Sequence, residues 1–360
     1  MNVVNQSKIN NISRLYSLDG LRAISILLVL VGHLSHTDQF QKSISYYNYY
    51  DWSDFGVHIF FVISGFLITT LLLKEESGYG KIGLKNFYIR RFLRIFPAYY
   101  FFLFCIYLMN LKFNLNIKSF TAPLTFTTGL PIFDGRAGWT LGHTWSLAVE
   151  EQFYILYPFF LVLFNKKSVR LTILLIGVIL FPLLRSYLYH TCYPAFSYSI
   201  LYRGDCIIWG CMLAFYSEKI KIYFETQKAL INYIIILLFG IVITLRICIE
   251  HLYLGILTVP FVNTFQSLLA LSLIVKYTLI KTNTDNLVFK FLNSRVMVFI
   301  GVLSYSIYLW QQLVIQPHTS EFPWAWFPLN IFLVFVLAFL SYKLVEKPFL
   351  KLKVYFNRIR

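Results

Sequence analysis

Residues 17–36 read SLDGLRAISILLVLVGHLSH, a run of 20 residues that is apolar except at a few positions. At a rise of about 1.5 Å per residue, a helix of this length crosses a hydrocarbon core of about 30 Å. An arginine near its beginning, Arg22, and a histidine near its end, His33, interrupt the apolar character. The stretch therefore predicts a membrane-spanning helix that carries two ionisable side chains.

Nine further apolar runs of similar length follow, and together they predict an all-α integral membrane protein, a bundle of about ten transmembrane helices. The composition agrees, because 58% of the 360 residues are hydrophobic and 13% are charged, about half the charged fraction of a soluble domain. We therefore expect the lipid bilayer as a partner. The predicted spans are residues 18–37, 55–73, 93–110, 144–164, 171–189, 200–216, 229–248, 257–279, 297–316 and 328–346.

The basic residues predict how the bundle is oriented. Of the 32 Lys and Arg residues, 25 fall in segments that are cytoplasmic if the N-terminus is inside, and four fall in the opposite loops. The positive-inside rule then gives cytoplasmic termini and a multi-pass protein of the inner (plasma) membrane. It also explains the net charge of +16 without a nucleic-acid partner. We predict a cytoplasmic segment at 1–14, a membrane domain at 15–348 and a basic cytoplasmic tail at 349–360.

Arg22 and His33 share one face of the first span. They are eleven positions apart, which corresponds to about 16.5 Å of helix rise and returns to within about 20° of the same direction. Ionisable side chains inside a membrane are functional candidates by default. Two structural interpretations stay open: Arg22 could anchor the helix at the lipid interface, and His33 could hydrogen-bond a neighbouring carbonyl group.

Further ionisable residues fall near the outer ends of the fourth and sixth spans, at about the depth of the histidine. The fourth span begins HTWSLAVEEQ at residue 143, and the sixth begins YRGDC at residue 202. The predicted catalytic residues of this layer are His33, Glu150, Glu151, Arg203 and Asp205. A histidine beside a carboxylate suits general-base catalysis. The alternative is a buried network of ion pairs that only holds the helices together.

Arginines and small residues mark the opposite, inner half. The sequence FYIRRFLRIF at 87–96 sets Arg90, Arg91 and Arg94 at the mouth of the third span. They could bind phosphate groups or anchor the helix to anionic lipid. Ser64 and Gly65, in the middle of the second span, would admit either a ligand or a closely packed helix. We predict no metal site, since no HExxH-type helix is present.

Seven blocks of sequence resemble, in order and spacing, the acyltransferase family 3 of membrane proteins. The resemblance covers about residues 15–348. Each block alone is weak evidence, whereas their order is specific. The blocks are SLDGLRAISILLVLVGH (17–33), FGVHIFFVISGFLIT (55–69), FYIRRFLRIFPAYY (87–100), TWSLAVEEQFYILYP (144–158), YRGDCIIWGCMLA (202–214), LSYSIYLWQQ (303–312) and LVEKPF (344–349).

The resemblance implies an enzyme that transfers an acyl group, commonly acetyl from acetyl-CoA or another acyl-CoA, to a hydroxyl of a cell-surface glycan such as O-antigen or exopolysaccharide. The family's Arg-X10-His motif falls on Arg22 and His33, and its arginine-rich block on residues 90–94. The family's late Leu-Trp-His segment is altered here, because Gln311 follows Trp310. Some relatives carry an extracytoplasmic domain, and we expect none in this chain. We therefore expect transfer within the membrane domain or through a separate extracytoplasmic partner.

These residues suggest a hypothetical two-sided site. Acyl-CoA would bind from the cytoplasm, with its phosphates on the arginine-rich block and Arg22 and its pantetheine arm reaching into the interior. His33 would remove the proton of an acceptor hydroxyl, with Glu150 or Glu151 orienting the ring. Arg203 would stabilise the developing charge or position the acceptor.

Two alternatives to this mechanism stay open from the sequence. His33 could carry the acyl group itself, as an acyl-imidazole, before it reaches the acceptor. The chain could instead be a transporter or flippase of a glycolipid or acyl donor, in which case the buried charges would line a translocation path.

Overall fold

The computed structural model consists of long helices joined by short connections. It describes residues 17–40, 52–131, 137–192, 196–251, 255–280, 286–318 and 322–356. The predicted N-terminal segment 1–14 lies outside this part of the chain. Ten long helices follow one another within it: α1 Leu18–Ser35, α2 Trp52–Tyr79, α3 Leu84–Phe113, α4 Thr144–Leu163, α5 Lys167–Cys192, α6 Ile200–Thr226, α7 Lys228–His251, α8 Gly255–Ile274, α9 Arg295–Val314 and α10 Leu329–Ser341.

Short helical pieces extend two of the long helices and occupy several connections. Helix α8 continues as the π-helix Val275–Leu279, and α10 continues as the π-helix Tyr342–Glu346 and then the α-helix Lys347–Leu352. The described residues contain no β-strand, which confirms the all-α prediction. The other short pieces are Thr121–Leu124, Gly138–Gly142, Leu287–Leu292, Pro323–Ala325 and Lys353–Phe356.

Nine helices of the described chain are long and apolar enough to cross a bilayer. The predicted span at 200–216 is not among them, although it lies within the 27-residue helix α6. Arg203 and Asp205 lower the apolar character of α6, and both side chains are buried inside the bundle. The prediction of an all-α membrane bundle is confirmed. Helix α6 is not a tenth candidate span because it carries two charged residues, which the fold buries away from lipid.

Helix α2 lies at the centre of the bundle and α7 at its edge. In α2, 72% of the most apolar stretch is buried inside the protein, compared with 11% in α7. Helix α2 packs against α1, α6 and α8. The apolar side chains that α7 exposes are therefore suited to contact with lipid tails in the bilayer core.

Glycines allow α2 and α6 to approach closely. A Cβ atom at Gly65 would overlap the carbonyl oxygen of Ile207, and one at Gly210 would overlap that of Val62. Small residues at a helix crossing let two backbones touch, which strengthens packing where the hydrophobic effect contributes little. Gly65 therefore packs against α6. This corrects its prediction as a donor-binding residue, in favour of the packing alternative.

The chain beyond residue 348 continues to pack on the bundle. The turn Lys353–Phe356 and the preceding helix Lys347–Leu352 both contact α3. The described part of the predicted basic tail, residues 349–356, therefore packs on the bundle. The sequence pattern missed this contact because a basic segment beyond the last apolar run resembles a solvated tail.

Candidate active site

A cavity of about 140 Å³, which we call the arginine cavity, lies in one half of the described bundle. Its walls come from α1, α2, α3, α4, α9 and the C-terminal turn. Four cations and one carboxylate converge on it from four different parts of the chain. The charged lining residues are Arg22, Arg91, Arg94, Glu150 and Lys353.

Neighbouring groups orient the side chains of this cavity. Arg22 Nη1 lies 3.6 Å from Asp19 Oδ1 on the same helix. The guanidinium of Arg91 lies over the Tyr154 ring, 4.8 Å from its centroid, a favourable cation–π arrangement. The Ser64 and Tyr154 hydroxyls are hydrogen-bonded to each other. The structure thus brings Arg22, Arg91 and Ser64 together around one space, as the sequence analysis expected.

Arg90 does not line the arginine cavity. Its Nη2 lies 2.9 Å from Glu75 Oε2, and its Nη1 donates to the carbonyl oxygen of Phe356 at 2.9 Å. The prediction of Arg90 as a donor-binding residue therefore needs correction. Adjacent residues of a helix point about 100° apart, and here Arg91 faces the cavity while Arg90 faces Glu75 and the C-terminal turn.

A larger cavity of about 630 Å³, which we call the histidine cavity, lies on the other side of Val57 and Tyr308. Most of the long helices contribute to its walls. Aromatic side chains, among them Trp139, Trp145 and Tyr198, surround its polar groups. The polar lining includes His33, Asp54, His143, Arg203, Arg246 and Gln312.

His33 contacts two adjacent glutamines of α9. Its Nδ1 lies 2.6 Å from Gln311 Oε1, and its Nε2 lies 3.4 Å from Gln312 Nε2. Since an amide oxygen accepts and an amide nitrogen donates hydrogen bonds, Nδ1–H donates to Gln311 Oε1 and Nε2 accepts from the Gln312 amide. The ring also packs edge-on against Trp139, with 5.6 Å between centroids. This tautomer is the one that can accept a proton at Nε2.

The two predicted glutamates do not reach this histidine. Glu150 lines the arginine cavity, and Glu151 is only 6% exposed and lines neither cavity. His143, at the start of α4, lies beside Gln312 and hence at the level of His33. Glu150 follows seven residues later, about 10.5 Å further along the helix. The predicted pairing of His33 with Glu150 or Glu151 is therefore wrong, and Gln311 occupies that position.

Arg203 faces the histidine cavity, as predicted, but it is paired with an aspartate. Its Nη1 lies 2.6 Å from Asp54 Oδ1, and Arg246 Nη2 lies 3.2 Å from Asp54 Oδ2. The Arg203 guanidinium also lies over the Trp145 ring, 5.3 Å from its centroid. Asp54 thus holds Arg203 and Arg246 together at this side of the cavity.

Asp205 lies away from both cavities. Its carboxylate forms an ion pair with Arg185 and accepts a hydrogen bond from Thr264 Oγ1 at 2.9 Å. Both side chains of the ion pair are fully buried, and Arg185 also donates to the Pro260 carbonyl oxygen at 2.6 Å. The catalytic prediction for Asp205 is corrected: it belongs to a structural ion pair, which was the alternative interpretation.

The two cavities adjoin at Tyr308. Val57 and Tyr308 line both of them. The Tyr308 hydroxyl donates to the His143 carbonyl oxygen at 3.0 Å and lies 2.6 Å from Ser146 Oγ. A group passing from the arginines to His33 would have to pass this tyrosine.

Sequence reasoning missed several residues of the histidine cavity. They are His143, Gln312, Asp54 and Arg246, together with Gln311 as the partner of His33. One signal was present: two adjacent glutamines in the middle of an apolar run are costly unless they find partners. Asp54 and Arg246 gave no such signal, because both lie close to the ends of their helices.

A known family accounts for this chain. The model of a family described as an acyltransferase domain matches residues 15–343. The chain belongs to this acyltransferase family. Two Staphylococcus aureus proteins, from strains COL and MSSA476 and provisionally named O-acetyltransferases, are each 30% identical to it over 93% of this chain and 57% of theirs. O-acetyltransferase OatA of strain NCTC 8325 is 27% identical, with the same shares of each chain.

The acyltransferase family match covers both cavities apart from the C-terminal turn. The chain spans somewhat more than half the length, 57%, of the curated relatives it matches. No solved structure gives a significant match to it. Arg22, His33 and the 91–94 arginines all lie within the matched range, whereas Lys353 lies beyond its end.

Proposed function

We propose that the chain is a membrane-embedded O-acyltransferase, which moves an acyl group from acyl-CoA to a hydroxyl of a cell-envelope glycan. One observation carries the proposal: a cationic cavity adjoins a cavity in which Gln311 accepts from Nδ1–H of His33 and Nε2 is the hydrogen-bond acceptor of the ring. The names of the relatives favour acetyl as the group and oxygen as the acceptor atom.

The donor would enter at the arginine cavity. Arg22, Arg91 and Arg94 offer planar donors suited to phosphate oxygens. The distribution of basic residues favours this end as the cytoplasmic one and the plasma membrane as the location, and acyl-CoA is a cytoplasmic metabolite. The thioester end of the donor would then travel about 16.5 Å, the helix rise from Arg22 to His33, past Tyr308.

The acceptor would enter the histidine cavity from the opposite side. Its tryptophan and tyrosine rings offer apolar faces with polar edges, a combination that suits a sugar ring. His33 Nε2 would take the proton of the acceptor hydroxyl as that oxygen attacks the thioester carbonyl. The C–S bond would break, and the departing CoA sulfur would receive the proton. The products are an ester and free CoA.

Gln311 and Arg203 would support this reaction in different ways. Gln311 Oε1 holds Nδ1–H and therefore presents Nε2 to the cavity. Arg203 is tied to Asp54 and stacked on Trp145, which favours a role in positioning the acceptor over direct contact with the reacting oxygen. The final acceptor is either the glycan itself or a carrier hydroxyl on a separate extracytoplasmic partner.

The test is transfer of radiolabelled acetyl from acetyl-CoA in membrane vesicles that contain the full chain and envelope glycan. We expect label in the glycan fraction with wild-type protein, and a loss of about 10²–10⁴-fold with His33→Ala. His318→Ala is the matched control, because that histidine is 69% exposed and lies outside both cavities. Equal transfer by wild type and His33→Ala would refute the mechanism.

Two further outcomes separate the alternatives. Label that accumulates in a protein fraction would indicate a partner that receives the acyl group first. Movement of unlabelled glycolipid across the vesicle membrane, without any acetyl transfer, would support the transporter hypothesis and contradict the enzyme.

A further inference from the structure

We propose that Lys353 is a phosphate ligand of the acyl-CoA donor, and that the donor site extends beyond the part of the chain that the acyltransferase family matches. This inference rests on the proposed function. The family match ends at residue 343, ten residues before Lys353. The side chain nevertheless lines the arginine cavity together with Arg22, Arg91 and Arg94.

The charges around this cavity call for an anion. Lys353 lies within electrostatic reach of Arg94, Arg91 and Arg22. In the described part of the chain, Arg91, Arg94 and Lys353 take part in no ion pair, and Glu150 is the single carboxylate in the lining. Like charges held close together raise the free energy of an empty site. A ligand with several negative charges, such as the phosphates of CoA, would relieve that repulsion.

The position of Lys353 is fixed by a neighbouring network. Arg90 donates to the Phe356 carbonyl oxygen and pairs with Glu75, each at 2.9 Å. Glu75 in turn accepts from the backbone N–H of Gly83 at 2.9 Å. The C-terminal turn is thereby held against the connection between α2 and α3. Arg90 is a positioning residue in this arrangement, and Lys353 contributes the cation that the sequence analysis assigned to Arg90.

A second source of phosphate has the same chemistry, the headgroup of an anionic phospholipid. Lys351 provides the matched control for both, since it has the same side chain two residues earlier. It is exposed and lies outside the cavity. A general attraction between a basic tail and anionic ligands would involve Lys351 and Lys353 equally.

The experiment measures binding of CoA, 3′-dephospho-CoA and pantetheine to the purified full chain by calorimetry. We expect Lys353→Met to weaken CoA binding on the order of tenfold, the loss of one charge-assisted contact. Lys353→Arg should retain most of the affinity, and Lys351→Met should match wild type. Pantetheine, which has no phosphate, should bind all four proteins equally and so controls for folding. A tenfold loss that disappears with 3′-dephospho-CoA would assign Lys353 to the 3′-phosphate, and one that persists would assign it to the pyrophosphate.

Equal CoA affinity for Lys353→Met and wild type would overturn the inference. If this variant also retained less phosphatidylglycerol on purification, Lys353 would be assigned to a lipid headgroup. Acetyl transfer is measured in parallel, where Lys353→Met should raise the KM for acetyl-CoA without lowering kcat. Lys353-dependent CoA binding with no acetyl transfer by wild type would contradict the proposed function and leave this inference standing.

Discussion

His33 Nδ1 and Gln311 Oε1 lie 2.6 Å apart and connect α1 to α9 at the wall of the histidine cavity. The pair replaces the histidine and carboxylate that the sequence suggested. A neutral amide fixes the tautomer as a carboxylate would, and it adds no charge to a site within the membrane. Gln311 is fully buried, so the hydrogen bond is shielded from competing water.

Replacing Gln311 should reduce catalysis without unfolding the protein. Gln311→Leu removes the acceptor for Nδ1–H, and we expect kcat to fall on the order of tenfold. Gln311→His provides another acceptor for Nδ1–H, so it should retain most activity. Acetyl transfer, normalised to the amount of folded protein, measures both. If Gln311→Leu were as active as wild type, the tautomer argument would fail.

Arg94 should strengthen binding of the acyl-CoA donor by contacting one of its phosphates. Arg94→Met is expected to raise the KM for acetyl-CoA roughly tenfold, because one charge-assisted hydrogen bond is lost. Lys85→Met serves as control, since Lys85 is an exposed cation on the same helix and lines neither cavity. Steady-state transfer kinetics in proteoliposomes give the comparison. Equal KM values for the two variants would argue against a phosphate site here.

The ion pair between Arg185 and Asp205 should govern stability. Removing one partner of a buried pair typically destabilises a protein by about 3–5 kcal/mol, so Asp205→Ala should lower the thermal midpoint of the detergent-solubilised protein. The double variant Arg185→Met/Asp205→Leu should recover much of the loss, because no uncompensated charge remains. If Asp205 were catalytic, Asp205→Ala would instead abolish transfer without lowering the thermal midpoint. That result would restore the sequence-based prediction.

Substitution by alanine should lower the stability of the protein at Gly65 but not at Gly240. Gly65→Ala places a methyl group against the Ile207 carbonyl, and we expect a destabilisation of about 1–3 kcal/mol. Gly240 has no atom within 4 Å of the added Cβ, so Gly240→Ala should leave stability unchanged or slightly raised. Thermal unfolding followed by size-exclusion chromatography compares the two. Equal midpoints would mean that α2 and α6 are not tightly packed at this crossing.

The structure places some predicted site residues in the two cavities and others elsewhere, for one physical reason. Arg22 and His33 were found because a single helix fixes their spacing and direction. Glu150 was assigned to the wrong cavity, because its distance from His33 depends on how α4 is seated against α1. Asp205 was misassigned because its partner Arg185 lies on another helix, and no local pattern indicates which helices become neighbours.

The sequence by itself determined that the chain is an all-α membrane protein of the acyltransferase family, with Arg22 and His33 along its first helix. Hydrophobic run length and residue order carry that information, because both are local properties of the chain. Only the tertiary structure decided which polar groups meet. It paired His33 with Gln311, buried Asp205 against Arg185 and brought Lys353 into the arginine cavity. In lipid each buried polar group needs a partner from within the protein, and helix packing, not the order of residues, supplies it.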